Sequence, residues 1–566
     1  MSMQPIKPAR RQFIRDLGLA TLVLGSGAGL SGCVGSDSDG DKTKASFVHG
    51  VASGDPLADR VILWTRVSGI TSTVDVAWEV STDDRFSTVV ASGTANAAEA
   101  GDFTVKVDAT GLAAGQSYYF RFKCGSVTSP VGRTRTLPAG DVSQVRLAVF
   151  SCSNYPAGYF HAYADVAARD DIDAVVHLGD YIYEYERGGY ASADAEALGR
   201  LVEPAGELLT LDDYRRRHAQ YRTDPDLLAL HARAPFIVVW DDHEVANDTW
   251  KDGAENHDPA TEGAFTERRA AAIRAFNEWL PVRTADAANP ERIYRSFDFG
   301  SLVSLHMLDT RIIGRDRQLA YADFMNPDGS LDTTAFGAAM ADPARQLLGT
   351  EQSAWLQGQF AASPALWQIL GQQVVMGRMW LPAPIATQAI GFGAYAALAA
   401  QAQTAPETLT AEQLAMLSQP SIPYNLDAWD GYAVARETVL GMARAYDKNL
   451  IVLSGDTHNA WANDLQDSDG NQVGVEFATT SVSSPGLEEY ITDDPAVVAA
   501  GVVQIVEPLK YANTSERGYM LVTATATACE AEWHFVSSVK TPGFTSRLEK
   551  TLGVLPGSGN RRLVEV

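Results

Sequence analysis

The chain has 566 residues, 46% of them hydrophobic and 9% aromatic, which is long enough to divide into more than one core. Its 45 Lys and Arg stand against 70 Asp and Glu, a formal charge of −25, and that excludes a surface built to hold nucleic acid by counterion release. An anionic substrate has to be held locally, and metal is the natural means.

The N-terminus carries a targeting signal. RRQFIRDLGLATLVLGSGAGLSGC, residues 10–33, joins paired arginines to a short, weakly apolar, Gly-rich stretch and resembles a twin-arginine export signal. The alternative is a basic amphipathic helix, but the run from Gly25 to Gly32 makes a poor helix interior. The closing LSGC resembles a bacterial lipobox, in which Cys33 becomes the lipidated first residue; the alternative is a chance cysteine in a linker. Residues 34–45 read as a flexible polar tether. The expected partners are therefore the twin-arginine export machinery and a lipid anchor at Cys33, and the expected location is periplasmic, cell-surface lipid-anchored or secreted. With Cys33 lipidated, Cys124, Cys152 and Cys529 remain, an odd number that leaves at least one unpaired. A Cys124–Cys529 bridge and buried free thiols are both open.

Residues 46–140 are all strand and turn: RVILWTRV, VDVAWEVS, DFTVKVDATGL and SYYFRFKCG alternate apolar and polar residues between Gly, Asp and Ser. The pattern predicts a small β-sandwich, and TGLAAGQSYYFRF resembles the penultimate-strand region of fibronectin or immunoglobulin-like modules. Nothing in it looks catalytic. From 141 to 566, apolar strands alternate with long helical patterns such as LTLDDYRRRHAQYRTDPDLLALHARAP and TERRAAAIRAFNEWLPVR, which predicts an α/β catalytic domain. GFGAYAALAAQAQTAPETLTAEQLAMLSQP reads as a helical insertion of ordinary surface helix and loop.

Four apolar runs in that domain each stop at a polar cluster: VRLAVFSCSN, DAVVHLGDYIYEY, PFIVVWDDHEVAND and KNLIVLSGDTHNA. If these strands share a sheet direction, their carboxyl ends place Cys152, Asp180, Tyr183, Asp241, Asp242, His243, Asn247, Asp456 and His458 along one edge, where α/β sheets keep active sites. DDHE alone fits a helix cap and SCSN a turn; four such endings together point to a site. The residue types sort by hardness. Thiolate, phenolate, imidazole and carboxylate suit a Lewis-acidic iron, whereas carboxylates and an amide oxygen suit calcium or magnesium. A tyrosine ligand favours ferric iron. Asp180 and Tyr183, at i and i+3, are expected one turn apart and within reach of one ion, with the second oxygen of Asp180 available to bridge.

GDYIYEY, WDDHE and SGDTH resemble the signature of PhoD-type alkaline phosphatases, within the metallophosphoesterase superfamily. FVHGVASGDPLADRVILWTRV, RTDPDLLALHARAPFIVVWDDHE, AFNEWLPVR and LDTR extend the resemblance over nearly the whole chain. It implies a four-layer α/β/β/α metallophosphoesterase-like core behind the β-sandwich, and a site where Cys152, Asp180, Tyr183 and His458 hold Fe3+, with Asp180 shared with Ca2+. By motif position it puts Asp242 and Asp456 on the calcium side, Asn247 as a further ligand, and Asp241 as a support behind the ligands. Cys152 in place of a DxH opening, and the lack of an obvious VxxH between Asn247 and Asp456, depart from the purple acid phosphatase pattern and disfavour a second site built on two histidines. His161, His177 and His306 are expected in the core.

The implied activity is that of an exported metal-dependent alkaline phosphatase, a phosphoric ester hydrolase acting on small phosphate monoesters, diesters or both, with lipid or polymer phosphodiesters also open. Water or hydroxide at the iron attacks in line while the divalent side clamps the phosphate, with metals about 3.5–4 Å apart. His243 protonates the leaving oxygen, oriented by Glu244; a histidine that only hydrogen-bonds substrate is the alternative. Two other readings stand beside it: a phospholipase-D-like phosphodiesterase on the same fold, and a non-catalytic β-sandwich adhesin or binding protein, which the complete ligand set disfavours.

Overall fold

A computed structural model of the chain describes residues 45–284, 289–327 and 331–566. The twin-arginine stretch and Cys33 lie outside the described residues. The N-terminal region supplies β1 (Val51–Gly54), β2 (Arg60–Arg66), β3 (Val74–Ser81), β4 (Val89–Ala97), β5 (Thr104–Thr110), β6 (Ser117–Cys124), β7 (Val127–Thr128) and β8 (Gly132–Arg135). Strict alternation in β6 turns Tyr118, Phe120, Phe122 and Cys124 to one buried face, as a period of two requires. That face, in a sheet ordered β4-β3-β6-β7 with β8 on β6, packs against Val61 and Leu63 of β2 and Val105 and Ala109 of β5. Burying each such Phe stabilises by roughly 1.5–3 kcal/mol relative to exposure.

The sandwich is present, but its second sheet does not stop at the module. The remaining strands are β9 (Gln144–Phe150), β10 (Ala174–His177), β11 (Phe236–Val238), β12 (Arg295–Phe299), β13 (Val303–Met307), β14 (Trp367–Gly371), β15 (Trp380–Pro382), β16 (Ser421–Pro423), β17 (Asn449–Ser454), β18 (Ala460–Gln466), β19 (Gln472–Ala478), β20 (Leu509–Asn513), β21 (Gly518–Thr525), β22 (Cys529–Val536), β23 (Ser546–Val554) and β24 (Val564–Glu565). A ten-stranded sheet runs β24-β23-β22-β21-β9-β10-β11-β1-β2-β5, and β1 joins the two regions by pairing antiparallel with β2 and parallel with β11.

A seven-stranded sheet, β12-β13-β14-β17-β19-β18-β20, faces it. Ile451 and Leu453 of β17 meet Leu147 and Val149 of β9 in the cluster between the sheets, while Leu450 and Val452 turn outward to Leu356, Phe360, Val439 and Leu440. Those last four lie on the helices Gly349–Ala362 and Ala433–Ala445. The first sheet is covered outside by His161–Ala167, Leu211–Tyr221, Pro225–Arg233 and Phe265–Trp279, whose Tyr163, Tyr214, Leu230 and Phe276 enter the same cluster. The result is a four-layer α/β/β/α core. Sequence fixes the helix starts: Thr210 and Asp213 form a capping box, and Asp224 caps a helix that begins with Pro225.

His161, His177 and His306 are buried. His177 Nε2 lies 2.8 Å from the Tyr163 hydroxyl and His306 Nε2 2.9 Å from Gln368 Oε1. Cys124, Cys152 and Cys529 are all buried free thiols, so Cys124 and Cys529 do not pair. Among the described residues no helix is long and apolar enough to cross a membrane.

Candidate active site

The four polar endings converge, but not along one sheet edge. β9, β10 and β11 are parallel neighbours in the first sheet and deliver Cys152, then Asp180 and Tyr183, then Asp241, Asp242 and His243. β17, which delivers Asp456 and His458, belongs to the facing sheet. Just past these strands the backbone turns left-handed, with φ of 61° at Cys152, 55° at Asp180, 58° at Asp456 and 60° at His458. That conformation costs a non-glycine residue about 1–3 kcal/mol and persists where the surroundings over-determine it, often at functional sites. Two glycines let the ends close up. A Cβ on Gly179 would lie 2.3 Å from the Cβ of Asp241, and one on Gly455 would lie 2.2 Å from Ser151 Oγ. The first contact draws β10 to β11, and the second draws the facing sheet onto β9.

Cys152, Asp180 and Tyr183 have at most 1% of their surface exposed. The Tyr183 hydroxyl donates to Asp180 Oδ2 at 2.9 Å and lies 3.3 Å from His458 Nε2. The ligand atoms of Cys152, Asp180 and His458 lie within 4.8 Å of one another. His458 Nδ1 is 2.9 Å from the Pro485 carbonyl, which fixes the proton on Nδ1 and turns the Nε2 lone pair inward, the arrangement usual for a ligating imidazole. Residues 180–183 form a bend rather than a helical turn. Asp180 and Tyr183 therefore meet through the left-handed backbone at Asp180, not through helical spacing.

A second group, Asp180, Asp242 and His243, and a third, Asp241, Asp242 and Asp456, also bring ligand atoms within 4.8 Å. Asp180 belongs to the first two groups and Asp242 to the last two, so the three are continuous. Asn247 lines the same cleft and accepts the Tyr185 hydroxyl at 3.1 Å on its Oδ1. Arg311, absent from the sequence expectations, is wholly buried here. It reaches Asp241 at 2.5 Å, Asp427 at 2.7 Å and Asp456 at 3.0 Å. Its signal was the LDTR segment at the end of β13.

One guanidinium does not balance this set. Burial, and then Asp242, Asp241, Glu244 and Asp456, push the Asp180 carboxyl well above the usual range. Burial followed by Asp180 does the same to the Cys152 thiol and the Tyr183 phenol. Asp180 Oδ1 and Asp241 Oδ2 are buried with no hydrogen-bond partner among the described residues. A site whose Asp180 carboxyl, Cys152 thiol and Tyr183 phenol are all driven toward their neutral forms is a site shaped for added cations.

Glu244 does not orient His243. Its carboxylate accepts the backbone N–H groups of Asp180, Tyr181, Ile182 and Asp241 at 2.5–3.2 Å, which pins the ends of β10 and β11 together. The partner of His243 is Glu184: Nδ1 lies 2.7 Å from Glu184 Oε2, and the imidazole stacks on Tyr183 with centroids 4.2 Å apart.

Above these residues opens a cleft of about 240 Å³ whose lining includes Asp242, Asp248, Glu255, Asp427 and Asp456. Tyr424, Pro485, Leu487 and Tyr490 also line it, and among the described residues no Lys or Arg does. Paired sheets whose polar carboxyl ends meet at an acidic cleft are the architecture of a phosphoric ester hydrolase of metallophosphoesterase type. The family model described as PhoD-like phosphatase matches residues 147–533, and that of the PhoD-like phosphatase N-terminal domain matches residues 32–138. Alkaline phosphatase D of Bacillus subtilis (strain 168) is 35% identical over 556 residues, covering 94% of this chain and 85% of that protein. A solved structure titled "Structure of PhoD" superposes with a TM-score of 0.74 at 32% identity, covering 94% of this chain and 93% of that one. The chain belongs to the PhoD-like phosphatase family and is an alkaline phosphatase of that kind.

Proposed function

We propose that this phosphatase is exported and metal-dependent, with Cys152, Asp180, Tyr183 and His458 holding Fe3+, and Asp180, Asp242, Asn247 and Asp456 holding Ca2+. The observation that carries the reading is the orphaned Asp180 Oδ1, buried where the first two groups meet. Donor chemistry supports the assignment: thiol, phenol and imidazole lie on one side, carboxylates and an amide oxygen on the other. When bound, such ions supply Lewis-acid activation of water and neutralise charge on the phosphate oxygens. The absence of Lys and Arg from the described cleft walls supports the same need.

The chain's own residues handle the proton. Glu184 holds the Nδ1 proton of His243, which leaves Nε2 to carry a second proton to the departing oxygen. Export rests on the twin-arginine stretch, and a lipid anchor on Cys33. The natural substrates on this reading are small phosphate monoesters or diesters. Elemental analysis of active protein, with assays of nitrophenyl phosphate, its bis-ester and phosphatidylcholine, tests the proposal. Iron and calcium with turnover of the nitrophenyl esters supports it, turnover of phosphatidylcholine alone favours the phospholipase-D-like alternative, and zinc alone or no turnover overturns it.

A further inference from the structure

The helical insertion is surface helix and loop, as its sequence implies, and its first residues line a second cavity beside the cleft. Its helix Phe392–Thr404 packs on Pro495–Ile505. The second cavity, of about 230 Å³, lies between the start of that helix and the loop 490–493. Ile385, Ile390, Phe392 and Ile491 supply its apolar walls, and Tyr490 lines both this cavity and the catalytic cleft. Tyr490 keeps 44% of its surface exposed. The two spaces thus adjoin at Tyr490.

We propose that the second cavity is the subsite for the alcohol moiety of the ester, and that it selects a neutral, apolar alkyl or aryl group. This rests on the reading of the cleft as a phosphoesterase site. Size fits: an apolar cavity of about 150 Å³ holds benzene, and 230 Å³ leaves room for a substituted ring or a short chain. Charge fits as well. Among the described lining residues Asp493 is the one charged group, so a second phosphate on the substrate meets repulsion and no compensating cation. Gln388, Thr492 and Tyr490 add polar edges to the lining, while the four aliphatic and aromatic walls reward apolar surface.

The test compares methyl phosphate with cyclohexylmethyl phosphate on the metal-loaded enzyme. The two alcohols have similar basicity, so the ratio of their kcat/KM values reports binding rather than leaving ability. The larger ester is expected to be favoured about tenfold, as burial of several methylenes allows, and the ratio is expected to collapse toward one in Tyr490→Ala and in Ile390→Ser. A ratio is insensitive to the fraction of variant that folds. Calorimetry with methylphosphonate and benzylphosphonate, which are not hydrolysed, should give the same preference and the same loss. An unchanged ratio in both variants overturns the subsite, as does a preference for 2-aminoethyl phosphate over the cyclohexylmethyl ester. Failure of wild-type protein to hydrolyse any ester overturns the assigned activity, and phosphonate binding then still decides whether the cavity takes apolar groups.

Discussion

His243 Nδ1 lies 2.7 Å from Glu184 Oε2, and the other oxygen of the same unexposed carboxylate accepts the Asn247 N–H at 2.8 Å. One side chain thus sets the tautomer of the proposed acid and the position of a proposed ligand. Glu184→Gln leaves an amide whose N–H₂ group can face Nδ1 and reverse the tautomer. It is expected to lower kcat on alkyl esters by about 10²-fold with KM nearly unchanged and iron content intact. Loss of metal together with activity would make Glu184 a structural support only.

His243→Ala removes the proton donor itself. General acids contribute about 10²- to 10⁴-fold, and less where the leaving oxygen is already stable, so alkyl esters should suffer more than nitrophenyl esters. The metals should stay. Equal losses on both ester types, or loss of iron or calcium, would make His243 a phosphate contact or a ligand, a role that its distance to Asp180 and Asp242 permits.

Asp180→Ala should release both metals and abolish activity on every ester, because Asp180 belongs to two adjoining groups. Tyr183→Phe is the finer probe. Tyrosinate bound to ferric iron absorbs visible light, and that absorption should vanish in Tyr183→Phe while calcium is retained. A visible band that survives the substitution would remove Tyr183 from the iron.

His218 is buried flat against Trp279, ring centroids 6.4 Å apart, with neither nitrogen hydrogen-bonded among the described residues. Burial, then Arg222 and Arg217, lower its pKa from 6.5 to about 3. Between those values the unfolded chain binds the proton and the folded chain does not. Its contribution to stability is therefore complete above about pH 6.5 and is lost as pH falls toward 3. In urea unfolding between pH 4 and 6, His218→Gln should flatten the dependence of stability on pH by up to about 1.4 kcal/mol per pH unit. An unchanged slope would place a proton on His218 in the folded state.

Export should require Arg10 and Arg11. Replacing both with Lys is expected to leave folded, active protein inside the cell, and normal export of that double variant would count against the twin-arginine route. Cys33→Ala should free the protein from membranes at unchanged specific activity.

That these residues gather was legible because apolar runs that stop at Asp, Cys, Tyr or His announce themselves in one dimension. Which sheet each run joins was not. Leu450 and Val452 of β17 face helices while Ile451 and Leu453 face the interior, so the strand is apolar on both sides and reads like β9 or β10 wherever it lies. Partners across strands were equally hidden. Glu184 and His243 come from different strand ends, and the nearer Glu244 is the better candidate by sequence alone, whereas its carboxylate is occupied by four backbone N–H groups. Arg311 sits past β13 in the facing sheet, and nothing in its own segment says that it will reach Asp241. The insertion was legible as surface helix, burying little besides Phe392, but nothing in it announced the cavity that its first residues line.

The ten-stranded sheet takes β1 from near one end of the described chain and β21 to β24 from the other, with β9 clasped directly by β21. A ribosome therefore releases β9 and β10 long before the strand that closes them exists. A chain threaded through a membrane as it emerged would carry open hydrogen-bonding edges into a new compartment, where such edges recruit other chains. Crossing only after synthesis and closure avoids that hazard. On the proposed export route, topology and the paired Arg10 and Arg11 ask for the same order of events, with the protein finished first and moved afterwards.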